Sequence, residues 1–259
     1  MTVEAAAESA RKNILGIGLE GPVPDLLRLI EDEAQLRVFI VSLPRDGIDG
    51  AYQVVDGDHF VLINQDKGPE RKRFTLAHEF GHHVLEHGAQ LDKHISFGDK
   101  RQTEVDANNF AASLLTPRPA IDQWFARHGD PDIDLEVVVR LAFFFNISAF
   151  VVRYRLETVN RLGSPSSRNR LDEALDAKQH YAVASDLGLS RSEDSIRVQH
   201  RRGGYVPAVM QAKIAGLVRR DLLSEDAAKA RLHLPEDAAS ELIQELLVPA
   251  AAAEGDEGE

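Results

Sequence analysis

The chain has 259 residues, of which 43% are hydrophobic and 28% are charged, and this is the composition of a soluble globular protein. The formal net charge of −12 argues against binding nucleic acid over the whole surface, although it leaves room for a local basic element. Because cysteine is absent, disulfides and thiolate metal sites are excluded. Residues 1–20 carry no signal-peptide pattern and no apolar run is long enough to cross a bilayer, so we expect a cytoplasmic protein without membrane contact.

The N-terminal part of the chain predicts two helices followed by a small antiparallel sheet. Apolar residues recur at helical spacing in two segments, Thr2–Leu15 and Pro24–Ala34. Three runs with strand-like composition come next: Arg37–Leu43, Ala51–Val55 and Phe60–Ile63. Between the last two runs stands Asp56-Gly57-Asp58, whose residue types suit a hairpin turn. We expect Val61–Asn64 to form either an edge strand that holds an extended peptide or a strand that only closes the core.

The segment Phe74–Gly88 predicts a helix with the spacing of a zinc hydrolase. His78 and His82 are four positions apart, so both imidazoles point to the same side of the helix, and Glu79 lies beside the first of them. Catalytic zinc takes three protein ligands and keeps one position for water, and a neighbouring carboxylate can serve as the general base. The alternative is a helix that carries these residues by chance. Its packed sides are apolar, however, and buried imidazole and carboxylate groups need a partner.

A third ligand is expected from the next helix, which the sequence predicts over Arg101–Leu115 and which two prolines end. Glu104 lies in its first part, and Asn108 stands one turn later, where it can hold a ligand imidazole by a hydrogen bond. Four other side chains compete for the place of Glu104: Asp106, His83, His87 and His94. Asp106 and His83 point to other sides of their helices. His87 does not fit a three-histidine motif, and His94 falls in a predicted loop at 92–98. The alternative for Glu104 is an ordinary glutamate of an amphipathic helix.

Two stretches of the chain resemble the ImmA/IrrE family of bacterial and phage metallo-endopeptidases. They are Arg71–His82 (RKRFTLAHEFGH) and Glu104–Pro117 (EVDANNFAASLLTP), and the resemblance extends over roughly residues 10–160. It implies a gluzincin-like zinc peptidase with the ligands and the base predicted above. It also implies a regulatory protein as substrate, typically a helix-turn-helix repressor, whose cleavage switches on genes of mobile elements or stress responses. Thr116 departs from the family, in which methionine is more common at this position.

The segment Asp134–Leu162 has the outline of a helix-turn-helix, with a turn at Asn146-Ile147-Ser148 between two helices. The second helix, predicted over Ala149–Leu162, carries three arginines and one acid, Glu157; the arginines are Arg153, Arg155 and Arg161. DNA binding requires basic side chains at the start of that helix, but Ala149–Val152 is apolar. This favours a helical pair that packs on the peptidase core or docks a protein over a pair that contacts DNA.

The rest of the chain predicts a linker, a small helical region and an acidic tail. Gly163–Ser167 is small and polar around a proline, which is typical of a linker. Helical spacing then recurs in three segments: Leu171–Leu187, Ala208–Leu222 and Glu225–Leu247. Three isolated histidines are interpreted as surface or core residues rather than ligands: His180, His200 and His233. The arginines of Arg191–Arg202 are interpreted as a solvated loop, with an anion patch as the alternative, and Ala250–Glu259 is expected to be disordered.

These patterns predict an α+β protein in four parts. A mostly helical, zincin-like peptidase domain with a small antiparallel sheet covers 1–130, and a helix-turn-helix-like segment packed on it covers 131–163. A small helical C-terminal region (164–249) and a disordered acidic tail (250–259) follow.

The function that the sequence predicts is zinc-dependent endopeptidase activity on a regulatory protein, with a transcriptional repressor as the expected substrate. The identity of the divalent ion stays open, because availability decides it as well as the ligands. The donor that stabilises the oxyanion is open among four residues: Tyr52, His59, His94 and Tyr181. The alternative function is a non-proteolytic regulator that binds a partner protein or DNA through residues 134–162 and the C-terminal region.

Overall fold

The computed structural model describes residues 1–42, 48–88, 90–92, 101–189, 204–232, 234 and 236–247. These residues form mainly helices, together with four strands that make one sheet. The α+β class with a mostly helical composition is therefore confirmed.

The elements follow one another in an order that places the sheet before the helix of the predicted metal site. The strands are β1 (Arg37–Val41), β2 (Gly50–Val55), β3 (Asp58–Asn64) and β4 (Gln90–Asp92). The helices are α1 (Val3–Ser9, continued by a π-helical turn at Ala10–Ile14), α2 (Leu26–Asp32), α3 (Pro69–Val84), α4 (Gln102–Leu115), α5 (Arg118–Arg127), α6 (Leu135–Phe145), α7 (Ala149–Thr158), α8 (Pro165–Asp176), α9 (Gln179–Asp186), α10 (Ala208–Arg219), α11 (Glu225–Leu232) and α12 (Glu236–Leu247).

The sheet is mixed, with the strand order β1-β3-β2-β4. β2 and β3 form the predicted antiparallel hairpin, but β1 runs parallel to β3, so the prediction of a wholly antiparallel sheet is wrong. β1 lies beside the second strand of the hairpin rather than the first, and hydrophobic patterns along the chain do not specify which strands become neighbours. Because β3 lies between β1 and β2, Val61–Asn64 is interior, so the edge-strand alternative is wrong and the alternative of a strand that closes the core is confirmed. β4 pairs instead with Gly50–Tyr52 of β2, in a stretch for which the sequence predicts no element.

Helices α3 and α4 approach closely because a glycine stands at their contact. A Cβ at Gly81 would lie 3.0 Å from Phe110 Cδ1, tighter than an ordinary non-bonded contact. Phe80 and Phe110 meet edge to face with their ring centroids 5.8 Å apart. Gly81 stands between His78 and His82 in the sequence, so this close packing brings α4 against the helix that carries both histidines.

Buried apolar residues form two clusters. The first extends from Ala6 to Leu175 and includes Val138 of α6 and Leu156 of α7, so the helical pair shares a core with α3 and the sheet. The second lies among α10, α11 and α12, and Phe39 of β1 packs against it. The domain boundaries drawn from the sequence stay predictions.

Helices α6 and α7 form the bent pair that the sequence predicts. Asn146 ends α6 in the left-handed conformation (φ 54°, ψ 49°), and Ser148 caps α7 by accepting a hydrogen bond from Val151 N at 3.3 Å. The two helices are bent by 104° at this break. Among the described helices, none is long and apolar enough by itself to cross a membrane, and α6 and α7 meet that criterion only as this bent pair.

The later helices differ from the predicted ones in their boundaries. Ser164 caps α8 and Pro165 begins it, so most of the predicted linker Gly163–Ser167 is helical. The predicted helix Leu171–Leu187 is split at Lys178, which has a positive φ of 57°. Glu225–Leu247 is likewise two helices, α11 and α12.

Helix α5 has no counterpart among the predicted helices. The sequence predicts a helix end at Pro117 and Pro119, but Pro119 occupies the first turn of α5, where a missing N–H is tolerated. Several residues and segments with sequence predictions lie outside the described residues: His94, His200, His233, 93–98, Arg191–Arg202 and Ala250–Glu259.

Candidate metal centre

One turn of α3 brings two imidazoles to the same point inside the protein. His78 Nε2 and His82 Nε2 are 3.0 Å apart, and neither residue is exposed to solvent. This is the geometry expected from a spacing of four on a helix. Two ring nitrogens at this distance need a proton or a cation between them, because two lone pairs facing each other repel.

Glu104 completes the group from α4. Its Oε2 lies 3.3 Å from His78 Nε2, and its Oε1 lies 3.6 Å from His82 Nε2. One donor atom from each of the three residues lies within 4.8 Å of the other two. Oε1 of Glu104 is buried and accepts no hydrogen bond from the described residues. A divalent cation fits this arrangement, because it would be bound by two neutral imidazoles and would compensate the buried carboxylate.

Asn108 defines which nitrogen of His78 carries the proton and which faces the other donor atoms. Asn108 Oδ1 lies 3.1 Å from His78 Nδ1, and a carboxamide oxygen can only accept. His78 therefore donates from Nδ1 and directs the lone pair of Nε2 towards His82 and Glu104. This is the contact that the sequence predicts for Asn108, one helical turn after Glu104.

His87 holds the imidazole of His82 by a hydrogen bond at Nδ1, as Asn108 does for His78. The two Nδ1 atoms are 3.0 Å apart, so one of them carries the proton of this hydrogen bond. Burial lowers the pKa of His87, which keeps its ring neutral and able to accept. His82 can then donate from Nδ1 and present Nε2 to a cation. The sequence pattern presents His87 only as a possible metal ligand, and its position just after the end of α3 does not indicate the hydrogen bond with His82.

Two other competing ligands lie elsewhere. Asp106 Oδ1 accepts a hydrogen bond from Gln102 Nε2 at 2.8 Å on the exposed side of α4. His83 belongs to a cluster in which Tyr52 Oη lies 2.6 Å from His59 Nδ1 and 3.1 Å from His83 Nδ1.

Two candidates for the oxyanion donor, Tyr52 and His59, are thus bound to each other. A third, Tyr181, is 67% exposed and packs against His180 on α9, with the ring centroids 4.2 Å apart. The identity of this donor stays a prediction.

Glu79 is fully buried and its carboxylate lies against the first residue of β2. Its Oε1 lies where a side chain of residue 50 on β2 would begin, 2.5 Å from the position of a Cβ. The carboxylate of Glu79 thus reaches β2, while the two imidazoles of the same helix meet Glu104 of α4.

The arginines of the helical pair are engaged within the protein. Arg153 forms ion pairs with Glu157 and Asp172, the second of them at 2.6 Å from Nε. Arg161 binds two aspartates, Asp122 at 2.8 Å and Asp130 at 2.9 Å.

Arg155 is only 4% exposed and donates to the carbonyl oxygen of Thr116 at 3.0 Å, besides an ion pair with Glu4. All three arginines therefore stabilise the fold by contacts with other parts of the chain. This arrangement supports the interpretation of a packed helical pair.

A His-Glu-x-x-His helix next to a small sheet, completed by a glutamate from the following helix, defines the class of zincin-like metallopeptidase domains. Residues 31–157 match the family model of the IrrE N-terminal-like domain, a peptidase family, and this part of the chain belongs to that family. The matched segment contains both histidines, Glu79 and Glu104.

Two curated relatives are similar to the same part of the chain. The radiation response metalloprotease IrrE of Deinococcus deserti is 35% identical over 124 residues, which are 46% of this chain and 42% of the relative. The radiation response metalloprotease IrrE of Deinococcus radiodurans is 39% identical over 93 residues, which are 34% of this chain and 27% of the relative. The chain thus matches less than half the length of either relative.

Proposed function

We propose that this protein is a zinc-dependent endopeptidase whose metal ligands are His78, His82 and Glu104 and whose general base is Glu79. The convergence of two buried imidazoles and a buried carboxylate within 4.8 Å carries the proposal. The chemistry of these donors suits zinc, and the family of residues 31–157 supports a peptidase.

The residues of the chain divide the work between binding and proton transfer. When bound, zinc supplies a Lewis acid that polarises a peptide carbonyl and makes water acidic enough to attack at neutral pH. Asn108 and His87 hold the imidazoles in the tautomer that directs the Nε2 lone pairs of His78 and His82 towards Glu104. Glu79 accepts the proton of the attacking water on its carboxylate and delivers it to the leaving nitrogen.

For the substrate, we propose a helix-turn-helix repressor in the cytoplasm, in a switch of a phage, a mobile element or a stress response. The resemblance to the ImmA/IrrE family implies such a substrate, and the radiation response named for the two relatives is a stress response. A helix-turn-helix repressor encoded beside the gene is the first candidate to test.

The deciding experiment is co-expression of Glu79→Gln with that repressor. The glutamine keeps the size of the side chain but cannot take up a proton, so cleavage should fall by about 100-fold to about 10,000-fold while the zinc content of the purified protein stays unchanged. Glu86→Gln is the matched control, because Glu86 is exposed and lies two residues beyond the end of α3. Repressor loss that continues unaltered in Glu79→Gln would show that the peptidase proposal is wrong.

The alternative, a non-proteolytic regulator that acts through residues 134–162 and the C-terminal region, is distinguished in the same strain. Regulation of the repressor's target gene would then persist in Glu79→Gln and disappear when the helical pair is altered. The ion pairs of Arg153 and Arg161 disfavour DNA as the partner in that case, because these side chains would have to leave their carboxylates to reach phosphate.

A further inference from the structure

Gly50, the first residue of β2, lies directly against the face of α3 that carries Glu79. A Cβ at this position would lie 2.5 Å from Glu79 Oε1, 2.5 Å from Thr75 Cγ2 and 3.1 Å from the carbonyl oxygen of Leu62. Non-bonded carbon atoms are optimally about 3.5–4.0 Å apart, so there is no room for a side chain. The carboxylate of Glu79 occupies the space that any other residue would need.

The backbone of Gly50 is held on both sides. It pairs with Ile63 of β3 and with Asp92 of β4, so the strand cannot move sideways without breaking a ladder. The preceding residue, Asp49, has a buried carboxylate that binds Arg71 Nη2 of α3 at 2.5 Å. This ion pair ties the start of β2 to the helix that carries Glu79.

Space rather than backbone conformation explains the glycine. Gly50 is absent from the glycines with positive φ, so alanine could adopt the same backbone. Glycine in a strand is also less favourable than alanine, because it loses more conformational freedom on folding. The glycine at position 50 therefore allows α3 to pack closely against β2.

If a methyl group were added at Gly50, the three neighbouring groups would not be displaced equally easily. Thr75 is a buried residue in the middle of α3, and the carbonyl oxygen of Leu62 belongs to the interior strand β3. The carboxylate of Glu79 is the end of a flexible side chain and would move first.

We propose that Gly50 is a positioning residue: the missing side chain determines where the carboxylate of Glu79 rests beside the metal centre. This inference depends on the proposed role of Glu79 as general base. A displacement of about 1 Å at a catalytic group can lower the rate by about 100-fold.

The first test is Gly50→Ala in the full chain, loaded with zinc and assayed on the purified repressor. We expect kcat to fall by about 100-fold with KM and zinc content unchanged, because the contact is with the base and not with a ligand. Gly68→Ala is the matched control, since a Cβ at Gly68 has nothing within 4 Å, and it should keep full activity. A kcat of Gly50→Ala equal to that of the wild type would overturn the inference.

The second test separates the position of Glu79 from general damage to the fold. Thr75→Ser removes the methyl group that a Cβ would also meet, so Gly50→Ala/Thr75→Ser should regain part of the lost thermal stability but not kcat. Recovery of both would mean that Thr75, and not Glu79, is the group that Gly50 accommodates.

The third test does not depend on activity, so that it remains decisive if the wild type cleaves nothing and the proposed function fails. The decrease in Tm caused by Gly50→Ala is measured in the wild type and in Glu79→Ala. We expect a smaller decrease in Glu79→Ala, because the carboxylate is absent there. Equal decreases in the two backgrounds would overturn the inference whatever the activity.

Discussion

Asn108→Ala should weaken zinc binding without removing a ligand. In the wild type, His78 Nδ1 donates to Asn108 Oδ1 at 3.1 Å, and the two residues are 0% and 3% exposed. After the substitution the Nδ1–H loses the acceptor Asn108 Oδ1, which favours a turn of the imidazole or a move of its proton to Nε2. Either change removes the lone pair that the metal needs.

The size of the effect follows from the burial of this hydrogen bond. A buried donor without an acceptor costs about 1–3 kcal/mol. Since about 1.4 kcal/mol corresponds to a factor of ten in affinity, the Kd for zinc should rise by about 5-fold to about 140-fold.

The assay is a competition between metal-free protein and a chromophoric zinc chelator at neutral pH. Asn109→Ala is the matched control, because the neighbouring asparagine accepts from Tyr154 Oη at 2.7 Å, outside the metal centre. It should lose comparable stability and bind zinc like the wild type. An unchanged Kd for Asn108→Ala, or an equal loss in Asn109→Ala, would refute the reasoning.

Three further predictions concern stability. Removal of zinc from a free concentration of about 100 times Kd should lower the free energy of unfolding by about 2.7 kcal/mol, and His82→Ala should show no such change in chelator titrations. Arg11→Met should lower the free energy of unfolding by about 3 kcal/mol in urea, because the buried guanidinium donates to three carbonyl oxygens at 2.7–2.8 Å. Arg28→Met, on an exposed surface, should change this free energy little. Burial lowers the pKa of His83, so below about pH 6.5 the unfolded state binds more protons than the folded state and the free energy of unfolding decreases. The Tm of the wild type should therefore exceed that of His83→Gln by less at about pH 6 than at about pH 8.

The predicted ligands and their support come together in the structure because their placement is a local property. The spacing of four on a helix brings His78 and His82 to one side whatever surrounds them, and the same rule puts Asn108 one turn from Glu104. The sheet is different. Strand composition predicts β1, β2 and β3, but the parallel neighbour of β3 and the interior position of Val61–Asn64 depend on contacts between distant segments.

The sequence by itself determined the chemistry of the candidate site: two imidazoles and a carboxylate on one helix, a second carboxylate on the next, and no thiol. These follow from residue type and helical period, which need no knowledge of distant residues. Only the tertiary structure decided what surrounds these groups, namely that His87 forms a hydrogen bond with His82 and that Gly50 leaves space for Glu79. Such contacts arise where separate elements pack together, and a pattern along one segment carries no information about the element that lies against it.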